Sequence, residues 1–168
     1  MLFRRFYCRK SRNPTLSFLT MMKGCIDMAI MIIEEKDLFT VDESYHLVHC
    51  ISADYALGRG IAKEFDKRFN LRFKLQRVGS GIYPDCILIG RVFNLVTKKS
   101  YASKPTYKTL VEALIQMRQW VEERFILKLA MPKIGCGLDR LEWGKVLKAI
   151  ELVFDRVDIE IRICIWGD

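Results

Sequence analysis

Hydrophobic and polar residues follow one another along the chain in blocks that predict strands and helices in turn. Near the end of the chain, isoleucines at 159, 161, 163 and 165 alternate with Glu160, Arg162 and Cys164, which is typical of a strand. Ile61, Phe65 and Phe69 recur at every fourth position, which indicates an amphipathic helix. The same criteria predict strands over residues 31–34, 46–50, 86–89, 92–96, 126–131 and 159–165, and helices over residues 61–69, from about 105 to 121, and 143–154.

This order of elements predicts an α/β protein. Strands that alternate with helices favour a three-layer α/β/α sandwich around a mixed sheet. Gly90-Arg91 joins two of the strands, and a glycine at the first position of a two-residue loop fits a type II′ hairpin turn. In such folds ligands bind beyond the carboxyl ends of the strands.

Three groups of candidate functional residues follow predicted strands. Two are glycine loops, Gly58-Arg59-Gly60 and residues 135–140, and the third is the pair Lys98-Lys99. A loop that leads from a strand into a helix exposes backbone N–H groups, which suit phosphate. Two such loops in one small domain predict a ligand with two phosphates, beside a candidate catalytic lysine and aspartate, Asp139.

Each of these residues also has a purely structural interpretation. Asp139 could cap the helix that follows it, and its spacing alone favours this role. Lys98 could be a solvated residue at the end of a strand. Asp37 could accept a hydrogen bond from an adenine amino group, or it could stabilise a turn or cap a helix. The glycine loops could be ordinary strand-to-helix turns.

The histidines and cysteines do not form a metal-binding pattern. His46 and His49 lie three residues apart on one predicted strand and therefore face opposite sides, so we predict no metal site and interpret His49 as a core residue or as one that lies behind the ligand-binding residues. The six cysteines have no CxxC spacing, which indicates neither a zinc site nor a disulfide framework. We therefore expect a reducing, intracellular compartment.

The net charge of +8 is concentrated at the start of the chain, where residues 1–30 carry +5 and residues 31–168 carry +3. We interpret residues 1–30 as an extension, which could be a disordered tail, an organelle-targeting presequence or the product of a start codon assigned too early. Their apolar runs are short and interrupted by charge, so we predict no membrane span. Residues 31–168 form the single predicted domain.

Several motifs together resemble the macrodomains, and within them the branch of the terminal ADP-ribose protein glycohydrolase. The resemblance spans residues 31–168, in order and at compatible spacing. The segments that carry it are Asp37-Leu38-Phe39, His49-Cys50-Ile51-Ser52-Ala53-Asp54, Gly58-Arg59-Gly60-Ile61-Ala62, Thr97-Lys98-Lys99, Lys104-Pro105-Thr106-Tyr107 and residues 131–141, which read Met-Pro-Lys-Ile-Gly-Cys-Gly-Leu-Asp-Arg-Leu.

The resemblance implies a six-stranded mixed sheet that binds ADP-ribose, removal of ADP-ribose from acidic side chains, and deacylation of O-acetyl-ADP-ribose, without a cofactor. Lys98 would attack C1″ of the distal ribose, and Asp139 would serve as acid and base. The remaining implied ligand contacts are Asp37 and Leu38 for the adenine, Ser52 for the distal ribose, and Gly58, Arg59, Gly60, Ile61, Ile134, Gly135, Cys136, Gly137 and Leu138 for the two phosphates.

The chain also departs from the family pattern. Lys36 stands where a glycine is usual, and Arg59 replaces a small residue at the mouth of the phosphate site. We expect a monomer that acts on ADP-ribose or an ADP-ribosylated protein. Three alternatives remain open: hydrolysis of ADP-ribosylated DNA bases, an ADP-ribose-1″-phosphate phosphatase, and an ADP-ribose reader without catalysis.

Overall fold

The computed structural model describes residues 28–165, and they form the expected three-layer α/β/α sandwich. A short 3₁₀ helix, Leu38–Thr40, follows the first strand. The strands are β1 (Ile30–Glu35), β2 (His46–Ser52), β3 (Asp85–Ile89), β4 (Val92–Lys98), β5 (Lys128–Met131) and β6 (Glu160–Ile165). The helices are α1 (Gly60–Phe69), α2 (Leu71–Val78), α3 (Tyr107–Glu123) and α4 (Trp143–Val153).

The six strands form one mixed sheet in the order β1-β6-β5-β2-β4-β3. All neighbours are parallel except β3 and β4, which form the predicted antiparallel hairpin. Gly90 has a φ of +57°, as the first position of a type II′ turn requires. Because β5, β2 and β4 are adjacent and parallel, their carboxyl ends lie side by side at one edge of the molecule.

Each face of the sheet is covered by its own pair of helices. α3 and α4 pack on one face, with Met117 and Ile150 fully buried. α1, α2 and the 3₁₀ helix pack on the other, with Phe65 and Leu75 fully buried. This division explains why the central strands are apolar on both sides.

The two histidines face opposite layers, as predicted. His49 is fully buried, stacks on Phe65 at 4.0 Å between ring centroids, and its Nε2 lies 2.8 Å from Asn94 Oδ1. His46 packs against Phe93 on the other face. Burial lowers the pKa of His49 to about 4. The prediction that His49 is a core residue is confirmed.

Some element boundaries differ from the sequence prediction. β1 begins at Ile30, one residue earlier than expected, and β5 begins at Lys128 instead of residue 126. Ile126 is buried but its N–H donates to the Val121 carbonyl, so it closes the end of α3 instead of starting the strand. Helix α2 was not predicted, because Asn70, with a φ of +50°, turns the chain sharply after α1.

Residues 1–27 lie outside the described residues. The interpretation of residues 1–30 as an extension therefore stays a prediction. Across residues 28–165, no helix is both long and apolar enough to cross a membrane.

Candidate active site

The structure brings Lys98 and Asp139 together. Lys98 is the last residue of β4, and Asp139 lies in the loop after β5, on the other side of β2. Lys98 Nζ and Asp139 Oδ1 are 2.5 Å apart, although 41 residues separate them along the chain. The two side chains are only 14% and 12% exposed. They form a nearly buried ion pair at the carboxyl ends of the strands.

This arrangement overturns two of the structural interpretations. The N-cap position of α4 is held by Glu142, whose side chain makes no capping hydrogen bond, so the interpretation of Asp139 as a helix cap, which its spacing favoured, is wrong. Leu141 N–H donates back to Gly135 O at 2.8 Å, so the chain is still within the loop at Leu141, and α4 begins at Trp143. The interpretation of Lys98 as a solvated strand end is also wrong, whereas its neighbour Lys99 is exposed.

The loop that carries Asp139 is braced by the start of α3. The Lys104 ammonium donates a hydrogen bond to the Leu138 carbonyl. Glu142 N–H donates to the Tyr107 hydroxyl at 3.0 Å. These contacts hold the loop on both sides of Asp139. Sequence reasoning assigned no role to Lys104 and Tyr107, although both stand in a segment that carries the family resemblance.

The two glycine loops face each other beside the ion pair. Gly60 has a φ of +56°, and a Cβ added to it would lie 3.5 Å from Leu138 Cδ1. Gly135 has a φ of +71°. Helix α1 begins at Gly60 without a side-chain cap, so its first N–H groups are not occupied by a capping side chain. These features suit a bound diphosphate.

The other residues predicted to bind phosphate line this same region. Arg59 and Gly58 are exposed, as are Gly137 and Leu138 across from them. Ile61 is half-buried at the start of α1. The remaining two lie deeper in the second loop, with Ile134 buried and the Cys136 thiol donating to the Ile134 carbonyl at 3.3 Å.

Ser52 ends β2, next to β4, and is buried. Its hydroxyl donates to Asp54 Oδ1, while Asp54 Oδ2 accepts from Tyr101 N–H at 2.8 Å. Burial raises the pKa of Asp54, but the hydrogen bonds from Ser52, Tyr101 and Ala56 outweigh it and hold the pKa below its usual value. Asp54 therefore ties the loop after β2 to the loop after β4, a role that sequence reasoning did not assign.

Asp37 and Leu38 lie at the end of β1, on the edge of the sheet. Asp37 Oδ1 accepts from Phe39 N–H at 2.9 Å and so caps the 3₁₀ helix, while the Leu38 side chain is buried in the α1–α2 layer. The capping interpretation of Asp37 is confirmed. A contact between these residues and an adenine stays a prediction.

Cys50 lies beneath the ion pair. Burial, followed by the charge of Asp139, raises the pKa of the Cys50 thiol to about 12. The thiol is therefore neutral and is not a candidate nucleophile. All four cysteines between residues 28 and 165 are free, and in that span no group of three or more His, Cys, Asp or Glu residues could hold a metal ion.

Comparisons with known proteins identify the class to which this fold and site belong. The structure is similar to the macrodomain of Thermus aquaticus DarG, with a TM-score of 0.71, 18% identity and coverage of 83% of this chain and 99% of that chain. It is also similar to Thermosipho africanus DarTG in complex with ADP-ribose, with a TM-score of 0.72, 18% identity and coverage of 81% and 41%. The fold is that of a macrodomain.

The family within this class is defined by sequence. The chain is 41% identical over 156 residues to human ADP-ribose glycohydrolase OARD1, covering 91% of this chain and 95% of the relative. It belongs to the OARD1 family of ADP-ribose glycohydrolases. No protein-family model matches the chain. The macrodomain resemblance predicted from the motifs, with its six-stranded mixed sheet, is confirmed.

Proposed function

We propose that this chain binds ADP-ribose, releases it from acidic side chains and deacylates O-acetyl-ADP-ribose, with Lys98 and Asp139 as the catalytic residues. One observation carries the proposal. A nearly buried lysine and aspartate, 2.5 Å apart, lie beside two facing glycine loops in a member of the ADP-ribose glycohydrolase family. This geometry supplies an amine, a proton acceptor beside it, and a site for the diphosphate of the substrate.

The first step forms a bond between Lys98 and the sugar. Asp139 takes one proton from the Lys98 ammonium, and the neutral amine attacks C1″ of the distal ribose. As the N–C1″ bond forms, the C1″–O bond of the ester breaks, and the acidic side chain of the substrate leaves as a carboxylate. The short Nζ–Oδ1 distance favours this step, because the proton moves directly between hydrogen-bonded atoms.

The second step releases ADP-ribose. The oxygen of a water molecule bonds to C1″, the C1″–N bond breaks, and a water proton returns to the lysine nitrogen. Asp139 then loses its proton to solvent, which restores the ion pair. Each turnover therefore consumes one water and releases one proton, as ester hydrolysis requires.

The remaining predicted residues are assigned to binding. Gly58–Ile61 and residues 134–138 hold the two phosphates, Ser52 lies at the distal ribose, and Asp37 meets the adenine with Leu38 beside it. Arg59 adds an exposed cation at the mouth of the phosphate site. The substrate is an ADP-ribosylated protein, and the chain acts as a monomer.

The proposal is tested by single-turnover release of ADP-ribose from a glutamate-modified protein. We expect wild type to release ADP-ribose, and Lys98→Ala and Asp139→Ala each to slow release by at least about 100-fold, the scale of a lost nucleophile or proton-transfer group. Lys99→Ala is the matched control, because Lys99 is the exposed neighbour of Lys98, and it should retain the wild-type rate. The lysyl adduct can open to a Schiff base when the ring C1″–O bond breaks and the nitrogen lone pair forms the C=N bond, so borohydride reduction during turnover should trap it on wild type but not on Lys98→Ala.

Release at the wild-type rate by both Lys98→Ala and Asp139→Ala would refute the assigned chemistry. If wild type binds ADP-ribose but releases none, three other assays follow. ADP-ribosylated DNA tests the DNA hydrolase, phosphate release from ADP-ribose-1″-phosphate tests the phosphatase, and inactivity on every substrate identifies a reader.

A further inference from the structure

Ser52 and Lys98 are brought to the same side of the sheet by an irregularity in the pairing of β2 with β4. Ile51 pairs with Val96 in the regular register. The next residue of β2, Ser52, pairs with Lys98, so Thr97 is an extra residue in β4 without a partner on β2. If the register continued without this shift, Ser52 would pair with Thr97, and Lys98 would face the other side of the sheet. As register partners, Ser52 and Lys98 lie on neighbouring strands, whose backbones are about 5 Å apart.

The carboxylate of Asp54 connects Ser52 to the chain that follows Lys98. Asp54 Oδ1 accepts from the Ser52 hydroxyl, and Asp54 Oδ2 accepts from Tyr101 N–H at 2.8 Å. Ala53 N–H also donates to the Lys98 carbonyl at 2.9 Å. The two residues that follow β2 therefore hold the lysine backbone at Lys98 itself and again three residues further along.

The contact with Asp54 also determines which hydrogen bonds Ser52 can make to a ligand. Burial raises the pKa of Asp54, but its hydrogen bonds outweigh burial and keep the pKa below its usual value, so the carboxylate is ionised at neutral pH. An ionised carboxylate only accepts hydrogen bonds, so Ser52 must donate its single hydroxyl proton to Asp54. The Ser52 oxygen then has only lone pairs left for a ligand. A ribose whose C1″ lies at Lys98 carries a hydroxyl on the adjacent carbon, and this hydroxyl can donate to Ser52.

We propose that Asp54 is a positioning residue for the reaction: it holds Ser52 as a hydrogen-bond acceptor for a hydroxyl of the distal ribose, and it holds the chain that carries Lys98. This inference rests on the proposed function, because it takes the distal ribose to lie at Ser52 and Lys98. Asp54 acts through these two residues and needs no contact with the substrate.

Asp54→Asn tests this role with a minimal change of shape. An asparagine has one acceptor oxygen, so it can keep the contact with Ser52 or the contact with Tyr101, but not both. Asp42→Asn is the matched control, at the opposite end of β2. Asp42 Oδ1 accepts from Ser44 N–H at 2.9 Å, a bond that an asparagine oxygen also accepts. Both aspartates are exposed, so both variants should keep a melting temperature close to that of wild type.

The first measurement is the rate of ADP-ribose release from a glutamate-modified protein. We expect Asp54→Asn to lower kcat about tenfold, the scale of one hydrogen bond to a charged group, because Lys98 and the distal ribose are then less precisely aligned. Asp42→Asn should keep the wild-type kcat. A similar loss in Asp42→Asn would show that the effect does not come from the contacts of Asp54.

The second measurement is calorimetric titration with ADP-ribose and with ADP, which lacks the distal ribose. We expect Asp54→Asn to weaken ADP-ribose binding about fivefold and to leave ADP binding unchanged. In a Ser52→Ala background, Asp54→Asn should change ADP-ribose affinity less than about twofold, because Asp54 acts on the ribose through Ser52. Equal weakening of ADP binding, or an undiminished effect in the Ser52→Ala background, would assign the loss to general damage of the site and overturn the proposal.

The two measurements also separate this inference from the proposed function. If wild type binds ADP-ribose but releases none from the modified protein, the proposed function fails, and the affinities for ADP-ribose and ADP still decide whether Asp54 positions Ser52. If wild type is active and Asp54→Asn matches it in kcat and in ADP-ribose affinity, the proposed function stands and the role of Asp54 is rejected.

Discussion

At the scale of single residues, the glycines divide into those required by packing and those left open at the site. A Cβ on Gly79 would lie 2.2 Å from the Tyr55 hydroxyl oxygen, so a side chain there would displace the buried Tyr55 ring. A Cβ on Gly137 would meet nothing within 4 Å, and its φ is not positive. Packing therefore requires a glycine at 79 and does not require one at 137.

These two positions predict opposite effects of an alanine substitution. Gly79→Ala should lower the free energy of unfolding by about 1–3 kcal/mol, since it overpacks the Tyr55 site. Gly137→Ala should leave stability unchanged but weaken ADP-ribose binding, because its added methyl group would stand where the loop approaches the phosphates. Urea denaturation and calorimetric titration with ADP-ribose measure the two effects. Equal ADP-ribose affinity in Gly137→Ala and wild type would argue against the phosphate role of this loop.

The candidate site could be located from sequence more easily than its residues could be assigned roles. The glycine loops and Lys98 were placed at the carboxyl ends of strands from local pattern alone, and the structure puts them there. The pairing of Lys98 with Asp139 could not be predicted from local sequence, because it joins the end of β4 to a loop 41 residues further along the chain, across β2. From its spacing alone, Asp139 is predicted to cap a helix.

At the scale of elements, the loop between β5 and α4 depends on α3 for its position. Tyr107, the first residue of α3, accepts a hydrogen bond from Glu142 N–H, and Lys104 holds the Leu138 carbonyl. Asp139 lies between these two contacts. The start of α3 is itself well defined, because Thr106 and Thr109 form a reciprocal capping box.

Removing one brace should affect catalysis more than folding. We expect Tyr107→Phe to lower kcat two- to fivefold, about the value of one net hydrogen bond, because Asp139 then samples positions away from Lys98. The melting temperature should change little, since water replaces the lost acceptor at this exposed position. Tyr101→Phe is the control, as the Tyr101 side chain is 69% exposed and its hydroxyl has no hydrogen bond to any described residue. A drop of the same size in Tyr101→Phe would show that the effect does not come from the brace.

The prediction of helices and strands from sequence was wrong where a turn or a tertiary contact interrupts the local pattern of apolar residues. Leu71 and Leu75 have the i, i+4 spacing of a helix and are fully buried, yet α2 was not predicted because the turn at Asn70 interrupts the period of α1. Ile126 looked like the first residue of a strand, but it is buried as the closing residue of α3. For Ile126 the predicted burial is confirmed and the predicted strand geometry is wrong.

At the scale of the whole molecule, the buried histidine between the sheet and α1 links stability to pH. Burial lowers the pKa of His49 from 6.5 to about 4 in the folded protein, and burial also lowers the pKa of His46. The unfolded chain therefore binds protons between these pH values that the folded chain does not bind. The contribution of neutral His49 to the free energy of unfolding is fully present above about pH 6.5, and it is lost as the pH falls toward 4.

We expect the free energy of unfolding to fall by about 2 kcal/mol from pH 7.5 to pH 5.0 because of His49 alone. Urea denaturation of wild type and His49→Gln at both pH values measures the contribution, because glutamine keeps a polar group near Asn94 and does not titrate. The pH-dependent loss should be smaller in His49→Gln by this amount. The same loss in both proteins would assign the acid sensitivity to other groups.

The sheet order also indicates which parts of the candidate site can form first during synthesis. Lys98 and Asp139 need only β4, β2 and β5, which are contiguous in the sheet. Asp37 follows β1, whose single strand neighbour is β6, the last strand of the described chain. During synthesis, Lys98 and Asp139, the proposed catalytic pair, can therefore come together before β6 leaves the ribosome, whereas the proposed adenine end of the site at Asp37 depends on β6.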